Sequence, residues 1–430
     1  MSSHAASGLD VEANDASFTA GGHNLSHNVS GNGNNVTMMN YYLHEPPTPD
    51  ETLARSMINF FRRKSKSYRL SYDAALASRT LGTGQWLLHS SEYLSWKKGE
   101  RVNLACCGIP GAGKTVMTAI IIEDLIHTFP LSPVLYIYND STSQKMQSRA
   151  IFIANMLSQV LHQYPHVSSS RKLRDLYDTY HNEQTDPPFE QCKEAFLAVM
   201  DVLLQPVFLV IDALDEYQIG NVSASIALVQ DLETLDISLL ITSRTVIPFS
   251  EDSYYILEIR ASEHDVHATA ARALERSAVG TLLRQRGLLD EMSTRIATQA
   301  AGIFLSSKLI LSSIMTCDTI AAVKQLLSSS VTLDQIYQAI FTHIREQAPW
   351  VLPLIYFLLF SDQCTMHHTV MLQYLACEDW NLHKSDVTLC IDDYARSADT
   401  VLDACRGLVV LVQQCLPNEG KEFRFCRMFS

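Results

Sequence analysis

The sequence has no cysteine pair in the C-x-x-C spacing and no cysteine and histidine cluster with the spacing of a zinc site. Its 10 cysteines and 15 histidines are scattered along 430 residues. His367 and His368 have no acidic or cysteine partner at metal spacing. We therefore expect neither a structural zinc nor a disulfide framework, and we interpret the cysteines as reduced thiols of an intracellular protein.

Other features are missing as well, and each absence excludes a class of protein. The N-terminus has no charged segment followed by an apolar stretch, so no secretory signal is predicted and a cytoplasmic location is expected. The longest apolar run, residues 351–360, is about half of the ~20 residues that a membrane-spanning helix needs. A net charge of -13 disfavours non-specific binding to nucleic acid or anionic membranes. The serine-hydrolase and protein-kinase motifs are also absent.

The composition is that of a globular chain, with 47% hydrophobic and 18% charged residues, and its length predicts two or three domains. Residues 1–45 are set apart by their content of Asn, Gly and Ser, which predicts a disordered leader. Alternatively, residues 23–40 form a segment that stacks between copies of the chain, because Asn ladders and alternating apolar residues suit cross-β structure.

Short apolar segments alternate with amphipathic ones between residues 101 and 260, after a helical stretch over 46–100. Since apolar strands separated by helices are typical of a sheet covered on both faces, we predict an α/β fold with a parallel sheet. The predicted strands are 101–107, 133–138, 207–211, 237–242 and 255–259. The pattern is helical over 261–330, and it remains mainly helical over 331–430, with one strand candidate at 408–411.

The strongest motif is GIPGAGKT, which fits G-x-x-x-x-G-K-[ST] at every fixed position. An apolar strand precedes it and a helix follows it, which is the context that a phosphate-binding P-loop requires. Lys114 is expected to reach the β- and γ-phosphates, and Thr115 is expected to ligate Mg²⁺. The sequence therefore predicts a site for ATP or GTP, formed by Gly108, Ile109, Pro110, Gly111, Ala112, Gly113, Lys114 and Thr115.

A second motif, FLVIDALDE, places Asp212 at the end of an apolar strand. Ligands bind at the carboxyl ends of strands in open α/β sheets, so Asp212 is predicted to join Thr115 in holding magnesium. Asp215 and Glu216 follow within one turn. They are suited to polarise an attacking water, and the alternative is that they form a solvated helix cap.

A third motif, LLITSR, is a short apolar strand that ends in Arg244. Behind the other two motifs, an arginine in this place is a candidate to sense or stabilise the γ-phosphate. Arg244, Asp215 and Glu216 are therefore the predicted catalytic residues of a weak nucleoside triphosphatase.

Together with several other segments, these motifs resemble the fungal NACHT-domain signalling NTPases, which belong to the STAND class of P-loop NTPases. GTGQWLL at 82–88 is similar to the segment that precedes the P-loop in that family. The acidic group that begins at Asp212 resembles the family's Walker B motif. TSR at 242–244, AAGIFLSSKLIL at 300–311 and TLDQIYQAIF at 332–341 are similar to the family's later motifs.

The resemblance implies a domain order. It places a leader at 1–45, a helical pre-NACHT segment at 46–100, a NACHT nucleotide-binding domain at 101–260, a helical domain at 261–330 and a winged-helix-like region at 331–430. Whether the last region is truncated is left open. The C-terminal repeat sensor usual in the family is not expected here, and Arg427 stands where the family has a histidine that touches the bound diphosphate.

The resemblance also implies a function, for which two hypotheses remain. The first is a nucleotide-dependent switch whose slow hydrolysis is coupled to oligomerisation in innate-immunity-like or incompatibility signalling. The second is a truncated, non-catalytic paralogue that binds nucleotide and regulates full-length relatives by co-assembly. The intact acidic group favours the first and the missing sensor favours the second. Neither hypothesis includes a nucleic-acid partner or a membrane span.

Overall fold

The computed structural model describes most of the chain between residues 48 and 360, together with shorter segments on either side. The described ranges are 18–20, 23–25, 27–30, 37–40, 48–63, 68–99, 103–139, 148–218, 221–244, 254–328, 333–360, 365–367, 397–405, 408–413 and 421–425. The chain forms two compact units, Met1–Leu53 and Ala54–Ser430. All residues of the candidate site belong to the second unit.

In the first unit, the described part of the leader consists of two short antiparallel strand pairs. Strand β1 (Phe18–Ala20) pairs with β2 (His23–Leu25), and β3 (His27–Ser30) pairs with β4 (Thr37–Asn40). The other residues of the predicted leader lie outside the described ranges. The disorder of the leader and the stacking of residues 23–40 between copies both stay predictions.

Helices precede the sheet, in the segment where the sequence predicted them. They are α1 (Pro49–Arg62), α2 (Tyr68–Ala77), α3 (Gln85–Leu88) and α4 (Ser91–Lys97). Helix α1 ends at Arg62 and α2 begins at Tyr68. Ser90 is the N-cap of α4: its hydroxyl accepts a hydrogen bond from the Tyr93 N–H and so satisfies one of the first backbone donors of the helix.

Parallel strands form the central sheet, which confirms the predicted fold class. They are β5 (Asn103–Cys107), β6 (Val134–Tyr138), β7 (Phe208–Asp212), β8 (Ser238–Ser243) and β9 (Tyr254–Glu258), in the order β6-β7-β8-β5-β9. Every neighbouring pair is parallel, and each residue of the inner strands β5 and β7 is buried. Because β8 lies between β5 and β7, the residues that end β8 stand between the P-loop and the acidic motif.

Helices connect these strands. They are α5 (Lys114–Thr128), α6 (Arg149–Gln163), α7 (Arg171–Glu183), α8 (Phe189–Leu203) and α9 (Val222–Glu233). Helix α7 is mostly polar and buries Leu173, Leu176 and Tyr177, whose i, i+3, i+4 spacing is that of one face of an amphipathic helix. Helix α7 packs against α8, and the burial of an amphipathic face supplies most of the stability of a helix of this kind.

Side chains close the outer edge of β6. On α6, the Gln159 side chain accepts a hydrogen bond from the Tyr136 N–H at 3.1 Å and donates one to the Tyr136 carbonyl at 2.9 Å. Gln163, one helical turn later, makes the same two contacts with Val134, at 3.3 and 3.1 Å. Since unpaired edge groups invite the addition of another strand, the two glutamines protect this edge.

A helical region follows the sheet. It contains α10 (Glu263–Glu275), α11 (Ala278–Gln285), α12 (Leu289–Ala300), α13 (Phe304–Ile314) and α14 (Ile320–Leu326). Helix α10 ends at Glu275, and the Ser277 hydroxyl begins α11 by accepting the Gly280 N–H at 3.0 Å.

The described C-terminal segments combine helices with an antiparallel sheet. Helices α15 (Leu333–Gln347), α16 (Leu352–Phe360) and α17 (Ala398–Ala404) accompany strands β10 (Thr365–His367), β11 (Val409–Gln413) and β12 (Lys421–Phe425), in the order β10-β12-β11. The assignment of a winged helix to 331–430 stays a prediction, and Arg427 lies outside the described residues. No helix in the described ranges, the apolar α16 included, is long and apolar enough to cross a membrane.

Candidate functional site

The P-loop connects the carboxyl end of β5 to the N-terminus of α5. Gly111 and Gly113 have φ angles of 77° and 93°, a left-handed conformation that glycine adopts without steric cost. Gly113 is the N-cap of α5, and no side chain caps it. The first N–H groups of the helix are therefore open to an anion, and the helix dipole favours negative charge at the same place.

Lys114 is folded over the loop. Its Nζ donates to the carbonyl oxygens of Gly108 and Ile109, at 2.7 and 3.1 Å. Burial lowers the pKa of Lys114, and the negative charges of Asp215 and Asp212 oppose that shift. The ammonium group is thus held beside the loop by weak neutral acceptors, which a phosphate oxygen can replace with a stronger charge-assisted hydrogen bond.

Asp212 is the last residue of β7 and so lies at the carboxyl end of the sheet. Its side chain is buried, with only 3% of the residue exposed. Its Oδ2 accepts a hydrogen bond from Thr115 Oγ1 at 2.8 Å. Its Oδ1 accepts hydrogen bonds from Thr118 Oγ1 at 2.9 Å and Thr242 Oγ1 at 2.6 Å. Burial raises the pKa of Asp212, and the three hydroxyl donors act against that shift.

The residues present fit a magnesium ion bound together with a triphosphate. Thr115 is exposed, and its hydroxyl is hydrogen-bonded to Asp212 Oδ2. This oxygen of the buried carboxylate therefore lies on the solvent side of the site. Hydroxyl, carboxylate and phosphate oxygens are hard ligands of the kind that Mg²⁺ prefers, and the ion would neutralise phosphate charge there. Across the described ranges, no group of three or more His, Cys, Asp or Glu side chains can hold a metal, so phosphate and water would complete the shell.

The three predicted catalytic residues lie together. Asp215 and Glu216 occupy a 3-10 turn, Leu214–Glu216, which follows Ala213 in the left-handed region at φ 52°. The Arg244 backbone N–H donates to Asp215 Oδ1 at 3.1 Å, and its Nε lies 3.3 Å from Asp215 Oδ2. The Arg244 guanidinium is also ion-paired with Glu216. Both acidic side chains are therefore engaged by Arg244, and their catalytic role stays a prediction.

The start of α13 covers the P-loop. A Cβ placed on Gly113 would lie 2.9 Å from Cδ2 of Phe304, and one on Gly111 would lie 2.9 Å from Cβ of Leu305. The Leu305 N–H also donates to the Gly111 carbonyl at 3.3 Å. The loop is thus in direct van der Waals and hydrogen-bond contact with the helical region, and the two glycines are required for this close approach.

A second contact joins the helical region to the turn before the P-loop. The Gly84 N–H donates to Oδ2 of Asp265 at 2.9 Å, and Asp265 is 3% exposed on α10. Nearby, the hydroxyls of Thr80 and Thr269 are 3.2 Å apart. The glycine turn of the GTGQWLL segment is therefore fixed to the first helix of the helical region.

Sequence reasoning missed Thr118, Thr242, Phe304 and Leu305 as site residues. Thr118 had a weak signal, since it lies three residues after Thr115 and so on the same face of α5. Thr242 stands in the TSR motif, in which only Arg244 has a role predicted from the sequence. Phe304 and Leu305 stand in AAGIFLSSKLIL at 300–311, which the family resemblance marks as a motif but does not connect with the P-loop.

Comparison with protein families gives one match. The family model described as Nephrocystin 3, N-terminal, matches residues 82–244. The matched stretch begins in the glycine turn before the P-loop and ends at Arg244, so it contains the P-loop, Asp212 and the acidic pair. It is less than half of the chain. A comparison with curated proteins found no match.

Several solved structures are similar to this chain at low identity. A STAND protein with a tetratricopeptide repeat sensor from Pyrococcus horikoshii is 12% identical at a TM-score of 0.42, over 82% of this chain and 42% of that chain. Cdc6p from Pyrobaculum aerophilum is 12% identical at a TM-score of 0.34, over 82% of this chain and 93% of that chain. Domain III of DnaA from Thermotoga maritima is 15% identical at a TM-score of 0.29, over 68% of this chain and 96% of that chain. The chain spans less than half the length of the STAND protein. The loop, the sheet order and Asp212 carry the assignment of a P-loop NTPase fold.

Proposed function

We propose that this chain is a nucleotide-dependent molecular switch of the NACHT type, which binds ATP or GTP with Mg²⁺ and hydrolyses it slowly. The observation that carries the proposal is the contact between the P-loop and the helical region. Phe304 and Leu305 pack against Gly113 and Gly111, which shape the phosphate cradle. A nucleotide in the loop therefore acts on the same backbone that positions α13, and its phosphates can shift the balance between arrangements of the helical region.

Nucleotide binding exchanges contacts that the site already makes. Lys114 leaves the Gly108 and Ile109 carbonyls for phosphate oxygens, and the two carbonyls are then open to rearrange. Because the Gly111 carbonyl is bonded to Leu305, a change in loop conformation reaches α13 within a few bonds. This direct linkage favours a switch over an enzyme whose P-loop serves only catalysis.

Slow hydrolysis is supported by the environment of the acidic pair. Arg244 is ion-paired with both Asp215 and Glu216. A carboxylate whose oxygens contact a guanidinium is not positioned to take a proton from water, so water is activated only after Arg244 turns toward the γ-phosphate. The exchange of partners makes turnover depend on a rearrangement, which keeps the triphosphate state long-lived.

The test of nucleotide binding is Lys114→Ala. We expect fluorescent ATP and GTP analogues to bind the wild-type protein and to lose at least ~100-fold in affinity with the variant, since a charged contact to phosphate is worth about 3 kcal/mol. Lys308→Ala, which removes an exposed lysine of α13, is the matched control and should bind as wild type. Unchanged affinity in Lys114→Ala contradicts the proposal.

The switch itself is proposed to be coupled to oligomerisation of this chain, alone or with related NACHT proteins, in innate-immunity-like or incompatibility signalling in the cytoplasm. Size-exclusion chromatography with light scattering, in ADP and in a slowly hydrolysed ATP analogue, tests the coupling. A larger species is expected with the triphosphate only. The same mass in both nucleotides contradicts the coupling and leaves nucleotide binding intact.

A second candidate is a non-catalytic paralogue that binds nucleotide and regulates full-length relatives by co-assembly. The observation that favours it is again the ion pairing of Arg244, because the pairing holds both acidic side chains away from general-base work. Single-turnover measurement of radiolabelled ATP separates the two candidates. Binding without detectable phosphate release over hours favours the second.

A further inference from the structure

We propose that Thr242 is a positioning residue, which holds the Asp212 carboxylate so that one chosen oxygen faces the magnesium site. The inference rests on the proposed nucleotide function, since it concerns the metal that accompanies the nucleotide. It concerns a buried hydroxyl that has no direct access to the nucleotide: Thr242 is 0% exposed.

The two oxygens of Asp212 have different surroundings. Oδ2 is bonded to Thr115, the exposed first-turn residue of α5, and so faces the nucleotide side. Oδ1 is bonded to Thr118 and Thr242, both 0% exposed, and so faces the core. Oδ1 is therefore hydrogen-bonded to buried groups of the protein, and Oδ2 is directed to the nucleotide site.

The Thr242 hydroxyl is fixed at both ends. It accepts the Ala213 N–H at 2.9 Å, and it donates its single proton to Asp212 Oδ1 at 2.6 Å. Thr242 thus ties the carboxylate to the turn that follows it, and that turn carries Asp215 and Glu216 toward Arg244.

Loss of this hydroxyl has a specific consequence. A carboxylate rotates about its terminal bond over a broad range unless hydrogen bonds hold it. With Thr242 replaced by valine, Oδ1 loses one of its two core donors and the Ala213 N–H loses the hydroxyl that accepts it. Metal binding then has to fix the carboxylate as well as coordinate the ion. Groups that orient metal ligands in this way typically change metal affinity by about 10–100-fold.

The experiment compares Thr242→Val with Thr242→Ser. Valine keeps the size and removes the hydroxyl, whereas serine keeps the hydroxyl and loses only the methyl group. A fluorescent ATP analogue is titrated first in EDTA and then with increasing Mg²⁺, and Mn²⁺ binding to the nucleotide complex is followed by electron paramagnetic resonance. Thr118→Val provides a second removal of a donor to Oδ1. Ser293→Ala, which removes a buried hydroxyl on α12 that donates to the Leu289 carbonyl, is the matched control.

In EDTA, all variants are expected to bind the analogue as the wild type does. The Mg²⁺ and Mn²⁺ concentrations at half-saturation should rise about 10–100-fold in Thr242→Val, rise in the same direction in Thr118→Val, and return to near wild type in Thr242→Ser. A wild-type metal response in Thr242→Val overturns the proposal. So does an equal loss in the serine variant, which would assign the effect to packing. A wild-type protein that binds no nucleotide overturns the proposed function as well.

Discussion

Two acidic groups belong to the same short motif, and the fold surrounds them in opposite ways. Asp212 is 3% exposed and is held by three neutral hydroxyls. Asp215 and Glu216 have side chains that are 19% and 21% exposed, and both are paired with the Arg244 guanidinium. The side-chain partners of Asp212 among the described residues are hydroxyls, whereas the two carboxylates of the acidic pair share one guanidinium.

This contrast indicates where an added cation belongs. A buried carboxylate that has only hydroxyl partners retains most of its attraction for a metal, because hydrogen bonds orient its charge without cancelling it. A carboxylate in an ion pair attracts a metal ion only weakly until its arginine moves away. We therefore propose that magnesium binds at Asp212 and that Arg244 and its partners respond to the γ-phosphate.

The largest effect is expected from Asp212→Asn, which removes the charge and keeps the shape. Magnesium should no longer tighten nucleotide binding, while binding in EDTA persists through the P-loop. The melting temperature should stay equal or rise, since a buried charge is lost. Calorimetric titration with and without Mg²⁺ and a thermal melt measure both. Asp236→Asn, at an exposed position, is the control. A retained magnesium response would move the metal away from Asp212.

An intermediate effect is expected from Arg244→Ala. Loss of the guanidinium should abolish the preference for a triphosphate over a diphosphate and slow turnover by about 100-fold, as for other groups that stabilise transferred charge. Stability should fall by only about 1 kcal/mol, since the ion pairs are partly exposed to solvent. Arg244→Lys should not restore function, because lysine lacks the planar fork of donors with which the guanidinium holds two carboxylates in a fixed geometry. Faster turnover in Arg244→Ala would instead show that the arginine only restrains the acidic pair.

The smallest effect is expected from Asp215→Asn and Glu216→Gln taken singly. Nucleotide and magnesium should bind as in the wild type, and turnover should slow by roughly tenfold, less than the ~100-fold typical of a lone general base, because one carboxylate remains. Phosphate release under single-turnover conditions measures it. Hydrolysis at the wild-type rate in both variants would leave the pair with the structural task of holding Arg244.

Elements whose signals are local could be predicted from the amino-acid sequence. The P-loop is a contiguous pattern, so Lys114 and Thr115 are identified by the order of residues alone. The strands of the central sheet are continuous apolar runs, and their predicted bounds differ from the observed ones by at most two residues at either end. Asp212 is predictable because a strand of four apolar residues delivers it to the end of the sheet.

Contacts between residues distant in the chain are set by the tertiary fold. The order of strands places β8 between β5 and β7, and only this order brings Thr242 within 2.6 Å of Asp212. The packing of α13 on the P-loop rests on Phe304 and Leu305, whose apolar character fits any core. Hydrophobic periodicity in the sequence predicts which face of a helix or strand is buried. It does not predict which partner covers that face, because the hydrophobic effect is non-directional and only the assembled fold selects the contact.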